Sequence, residues 1–200
     1  MKKILIILIL IPVFAFAQTT EELDFVAPLN DGIAAVKKDN KWGFINNKGT
    51  IIIPFRGDLV LTETDSYNYP IFKNNRCLIS ENRKGIEYFG YIDKTGKTII
   101  ETKFLNASNF NNNHALVLEL TTKIVGENEI LKKRMVYYKY FEVVINTQGD
   151  IKDYLSDPIN VVLDKKFLKK PPRITSKFVS NTLVATLNKN KKWIIKSINL

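Results

Sequence analysis

The sequence predicts an all-β protein: antiparallel β-hairpin or meander repeats that form a curved open sheet or a small partial propeller. Three observations predict it. A unit of short apolar runs and polar turns, complete at residues 30–54, recurs along the chain. Turn signals rich in Asn and Gly separate those runs at regular spacing, as in antiparallel sheets. No stretch carries the period of a long amphipathic helix.

Met1-Lys2-Lys3, the apolar run Ile4 to Phe16 and the close Ala15-Phe16-Ala17 have the three parts of a secretory signal peptide. Residues 1–17 are expected to be cleaved, leaving 18–23 as a short N-terminal segment and 24–200 as a single repeat domain. A membrane anchor would need about 20 apolar residues, and Gln18-Thr19-Thr20-Glu21-Glu22 interrupts too soon. No Cys follows the run, so no lipoprotein anchor is expected, and no later stretch is long enough to cross a bilayer. Cleavage leaves 183 of the 200 residues, and the formal charge of +10 falls to +8 as Lys2 and Lys3 leave. That length suits one substantial core.

The first unit, about 24–58, leads in with Asn30-Asp31-Gly32-Ile33-Ala34-Ala35-Val36-Lys37 and turns at Lys38-Asp39-Asn40. It then runs Lys41-Trp42-Gly43-Phe44-Ile45, turns at Asn46-Asn47-Lys48-Gly49, and closes on Ile51-Ile52-Ile53. In the second turn the Asx side chain can bond its own backbone, and Gly49 can take the positive φ of a type I turn with a bulge. Gly43 between two aromatics suggests close backbone approach. Pro54 is expected to end the third run.

Phe89-Gly90-Tyr91-Ile92-Asp93 with Gly96 superimposes on this unit without a gap, inside a second unit of about 69–106. Glu142-Val143-Val144-Ile145-Asn146 with Gly149 is a weaker copy in a third, about 107–155. A fourth, about 178–200, runs from Ser180-Asn181-Thr182-Leu183 through Asn188 to Lys192 into Trp193-Ile194-Ile195. The turn glycines lie 47 and then 53 positions apart, a degenerate array with insertions. In the second unit Glu81 to Gly85 reads as a longer hairpin loop. The third is expected to hold one long hairpin around Gly126-Glu127-Asn128. Residues 151–177 are the least repetitive; Leu163 to Lys170 reads as a short helical turn stopped by Pro171-Pro172.

These residues resemble the WG-repeat family, also called KWG repeats, whose unit looks like G-x-A-x-V … K-W-G-F/Y-I-D-x-x-G-K-x-V-I-P. Gly32, Trp42, Gly43, Phe44 and Gly49 match closely, and Phe89, Gly90, Tyr91 and Gly96 match with Phe in the Trp place. Gly149 and Trp193 mark weaker copies that lack the second Gly. The resemblance implies an all-β repeat fold and no particular reaction. Such repeats bury their faces by stacking on neighbours.

Chemistry is harder to find. His114 falls at a lead-in position matched by Ile33 and Leu78, and reads as a packed strand residue. With Cys77 as the lone cysteine, a soft-metal site has too few ligands. Asp150, Asp153 and Asp157 lack the loop of a calcium site. Glu87, Glu101, Glu119 and Glu142 fall on expected strands, and a pair of them could cleave glycosides, but nothing in the sequence pairs two. No catalytic residue, metal or cofactor is therefore assigned, and an enzyme is not expected.

Two features suggest binding. Met135 to Phe141 puts aromatics on both faces of one strand, and Tyr138 and Tyr140 could form an exposed platform, unless both faces are buried. Basic residues gather at Lys37-Lys38, Lys132-Lys133-Arg134, Lys165-Lys166, Lys169-Lys170 and Lys189 to Lys192. The expected function is an exported, periplasmic or secreted interaction module of the cell envelope, with an unknown protein or envelope glycan as partner and no nucleic acid. The alternatives are an envelope glycan hydrolase and an electrostatic polyanion binder.

Overall fold

The computed structural model of the protein describes residues 22–128 and 133–198; the expected signal peptide lies outside them. Their strands are all antiparallel, with no helix. The first sheet is β1 (Phe25–Val26), β2 (Ile33–Lys38), β3 (Lys41–Asn46) and β4 (Ile51–Arg56). The second is β5 (Cys77–Arg83), β6 (Ile86–Ile92) and β7 (Thr98–Phe104). In the third, β8 (His114–Asn128) lies on one side of β9 (Lys133–Asn146); β10 (Ile151–Tyr154) and β11 (Ile159–Val161) lie end to end on the other. The last is β12 (Lys177–Phe178), β13 (Leu183–Leu187) and β14 (Trp193–Ser197).

Each lead-in strand also carries a short outer partner. β1 pairs with β2 and β12 with β13, while residues 58–60 bond to β5 and residues 105–108 to β8. The linker after the first unit thus begins as a strand of the second. The sheets are separate and open, stacked blades rather than one continuous curved sheet.

The corner after the second strand repeats in atomic detail. Asn46 Oδ1 accepts from the N–H groups of Lys48 and Thr50 at 2.9 and 3.0 Å. Asp93 does the same for Thr95 and Lys97, and Asn146 for Gln148 and Asp150. Gly49, Gly96 and Gly149 follow with φ of 79°, 83° and 89°. Asn188 makes the same pair of bonds to Asn190 and Lys192, but Lys191 occupies the left-handed place with φ 58°. There the corner joins the lead-in strand to the second strand.

Gly43 and Gly90 answer to a different constraint. A Cβ on Gly43 would lie 2.8 Å from the Ile53 carbonyl oxygen; one on Gly90 would strike the Ile100 carbonyl and sit 2.7 Å from the carbonyl carbon of Glu101. The outer strand bulges into that space. In the first sheet Ile45, Phe44 and Trp42 face Ile51, Ile53 and Arg56; in the second Ile92, Tyr91 and Phe89 face Thr98, Ile100 and Phe104. Each has two register shifts. The third sheet keeps only the first shift, Val143 pairs directly with Tyr154, and no glycine is needed.

Period-2 alternation gives every sheet two apolar faces. Ile33, Ala35, Phe44 and Ile53 face forward and meet Phe72, Cys77 and Ile79 of the second unit. Leu78, Phe89, Tyr91 and Ile100 face forward onto Ala115, Val117, Val143 and Ile145 of the third. Leu116 and Val144 face forward onto Val184 and Ile198 of the fourth. Each core therefore lies between consecutive units. Trp42 and Phe89 occupy equivalent forward positions, whereas Trp193, on the forward face of the last sheet, is 52% exposed. Cross-unit bonds pin the stack: Arg56 donates to Gly96 O, and Arg76 to Thr147 O, both at 2.9 Å.

Three expectations need correction. Pro54 does not end its strand; it lies within β4, an outer strand beside bulges, where a missing N–H is tolerated. Gly126 to Asn128 is not a turn but paired strand, opposite Met135 to Lys133; residues 129–132 lie outside the described residues. The β5–β6 hairpin closes with the two-residue turn Lys84-Gly85 rather than a long loop. Within 151–177, Leu168 N bonds to Asp164 O, a single turn without a helix.

In chemical denaturation, Gly90→Ala should lose about 2 kcal/mol or more, because the obstructing atoms are backbone. Lys191→Gly should gain roughly 0.5–1 kcal/mol by relieving the left-handed strain.

Candidate functional site

Every unit crosses its sheet the same way, so turns of one kind gather on one rim. The turns at residues 30–33, 73–76, 111–114 and 180–183, and the corners after Asn46, Asp93 and Asn146, share the first rim. Contacts between units hold it: Lys94 Nζ lies 3.1 Å from the Asp31 carboxylate, and Asn112 donates to Asn181. Among the turns of the first three units lies a depression of about 650 Å³, lined by Asn and Asp side chains with Thr62 and Lys73, over Phe72 and Phe110.

The second rim collects the opposite ends of the strands. It carries the β2–β3 turn with Lys37 and Lys38, the β5–β6 turn with Lys84, and the β13–β14 corner with Lys189, Lys191 and Lys192. Residues 165–170 join it: a Cβ on Gly85 would lie 2.9 Å from Lys165 Cβ, and Leu168 to Pro171 flank Gly85 and Ile86. Strands β8 and β9 run out toward the same rim, so the Lys133-Arg134 backbone is carried there as well. Basic clusters dispersed over more than 150 positions thus gather here, two at hairpin turns (37–38 and 189–192) and two in the 165–170 segment beside the β5–β6 turn, with the Lys133-Arg134 backbone running out toward them. The first rim is rich in Asn, and its turns carry Lys48, Lys73, Arg76, Lys94 and Lys97 as well.

Other residues singled out in the sequence are committed to packing. Both Tyr138 and Tyr140 are half-buried on one face of β9, paired with Val161 and Ile159 of β11. Tyr140 packs against Ile86, Leu105 and Leu118, and burial followed by the nearby Glu142 raises its pKa. The exposed ring on this strand is Tyr137, on the opposite face. His114 sits at the turn bridge to Asn111, the place of Arg76 rather than Leu78, with Nδ1 2.9 Å from Asn112 O. Cys77 is buried between the first two units, which pushes its thiol pKa up to about 12. Among the described residues, no three of His, Cys, Asp and Glu gather as metal ligands would.

The carboxylates divide by register. Leu118 pairs with Glu142 and Glu119 with Phe141, so Glu119 and Glu142 project from opposite faces of the β8–β9 ladder. Glu142 is 3% exposed and accepts from both N–H and hydroxyl of Thr175 and of Ser176, tying the 175–176 segment to β9. Nothing in the residues around Glu142 marks this non-local role. Glu119 keeps one buried oxygen without a partner, and burial raises its pKa against the pull of Lys103. Glu87 accepts from Ser80 at 2.8 Å, and Glu101 is exposed.

The profile of the WG containing repeat matches residues 22–42, 42–56 and 89–119. This chain is a WG-repeat protein. No curated protein and no solved structure matches it. The matched WG stretches take in the first sheet and run from β6 into β8, the parts in which Gly43 and Gly90 survive. The third WG unit's second strand, where Val143 replaces the glycine and the bulge is gone, lies beyond them.

Removing the Glu142 carboxylate with Glu142→Ala strands four donors and should cost roughly 3–5 kcal/mol in urea unfolding. Glu119 behaves oppositely. Its raised pKa means the fold disfavours the charged form, a penalty present above the ordinary carboxylate range and absent below it. Glu119→Gln should therefore melt higher than the parent at pH 7, and the difference should vanish as pH falls below about 4.

Proposed function

We propose that the protein is an exported, non-catalytic WG-repeat module that attaches to an anionic polymer of the cell envelope through its lysine rim. One observation carries this reading: basic clusters far apart in sequence, at the β2–β3 and β13–β14 turns and in the 165–170 segment packed beside the β5–β6 turn, lie on one rim. A row of like charges raises the local concentration of a polyanion and aligns with its repeating charge. The signal-peptide pattern at residues 1–17 supports a partner outside the cytoplasm. The engagement of Glu142 by Thr175 and Ser176, and its separation from Glu119, support a binding role over glycoside cleavage.

The chain lacking residues 1–17 should bind dextran sulfate and ignore neutral dextran. Affinity should fall steeply between low and physiological salt, as rim charges are screened. The combined reversal Lys165→Glu, Lys166→Glu, Lys189→Glu and Lys192→Glu should weaken capture at least about tenfold. Salt-insensitive capture, or capture untouched by the reversal, would contradict the reading. Cell fractionation with a tagged full-length chain tests export separately; retention in the cytoplasm would remove the envelope from the proposal.

A further inference from the structure

We infer that the depression on the amide-rich rim is a binding site for a neutral oligosaccharide, independent of the lysine rim. The repeat itself builds the site. Asn30 and Asn111 hold the same turn position in the first and third units, and Asn74 holds the next position in the second; all three line the depression. None of these side-chain amides has a hydrogen-bond partner among the described residues. Turn bonds fix the backbones of Asn30 and Asn111, so only side-chain torsions are left to order on binding.

An amide offers a donor and an acceptor side by side, the match for a sugar hydroxyl that both donates and accepts. Phe72 and Phe110, 1% and 2% exposed, are packed beneath the floor, so the recognition falls to the amides above them. The carboxylate within the site, Asp31, is neutralised by Lys94 at 3.1 Å and bonded by the Asn75 N–H. Lys73 also lines the depression and carries its one uncompensated charge. The volume of about 650 Å³ falls in the usual range for small-ligand sites.

The test is calorimetry of the chain lacking residues 1–17 with maltohexaose, cellohexaose and chitohexaose, each at low and high salt. At least one should bind with a dissociation constant of roughly a millimolar or tighter, unchanged by salt. Asn30→Ala with Asn111→Ala, both at positions of ordinary backbone, should weaken it at least about tenfold without lowering the melting temperature. The lysine-rim reversal should leave it unaltered, so failure here is distinct from failure of the polyanion reading. No binding by any of the three sugars, or binding indifferent to the asparagine substitutions, overturns the inference.

Discussion

A sheet with two apolar faces and only two turns' width of chain cannot bury either face on itself. In this protein the forward face of one unit is covered by the backward face of the next, so every core belongs to two units at once. Burying a side chain such as Phe44 or Tyr91 in such a joint contributes about 1.5–3 kcal/mol. The joint exists only when both units are folded. Corner glycines serve the same joints: Gly96 lies over Ile53, and Gly149 over Ile100, of the preceding unit. These positions combine left-handed backbone with room for the neighbour's side chain.

The glycine that gives the repeat its signature has a reason that can be stated in atoms. The outer strand makes a second bulge, and its carbonyl comes up against the second strand at Gly43 and Gly90. Any Cβ would displace backbone. Where the bulge is lost, Val143 is accommodated and adds its side chain to the core beneath. Erosion of the repeat pattern in the third unit is thus a change of register.

What could be read from the sequence was local. Asn46, Asp93 and Asn146 with their glycines specify a corner within five residues, and the corners appear as expected. The corner at Asn188 escaped notice because Lys191 replaces the glycine, although its Asn supplies the same bonds. Gly126-Glu127-Asn128 carries turn chemistry yet is held as strand by β9. Tyr140 and Glu142 were illegible for another reason: their surroundings come from β11 and from residues 175–176, which no local pattern announces. The lysine rim was legible in principle. Counting strand passes puts Lys37-Lys38 and Lys189 to Lys192 at the same ends, whereas residues 165–170 reach that rim through a segment that is not strand.

The sorting of turns onto two rims follows from the same meander, since alternate turns must fall on opposite sides of the stack. The account rests on cores shared between consecutive units, and residue-resolved hydrogen exchange of a Phe44→Ala variant addresses it most directly. Protection should fall in β2, β3 and β5, the two walls of the first joint, while β8, β9 and β13 keep theirs. A uniform loss across all sheets, or a loss confined to the first sheet alone, would contradict it.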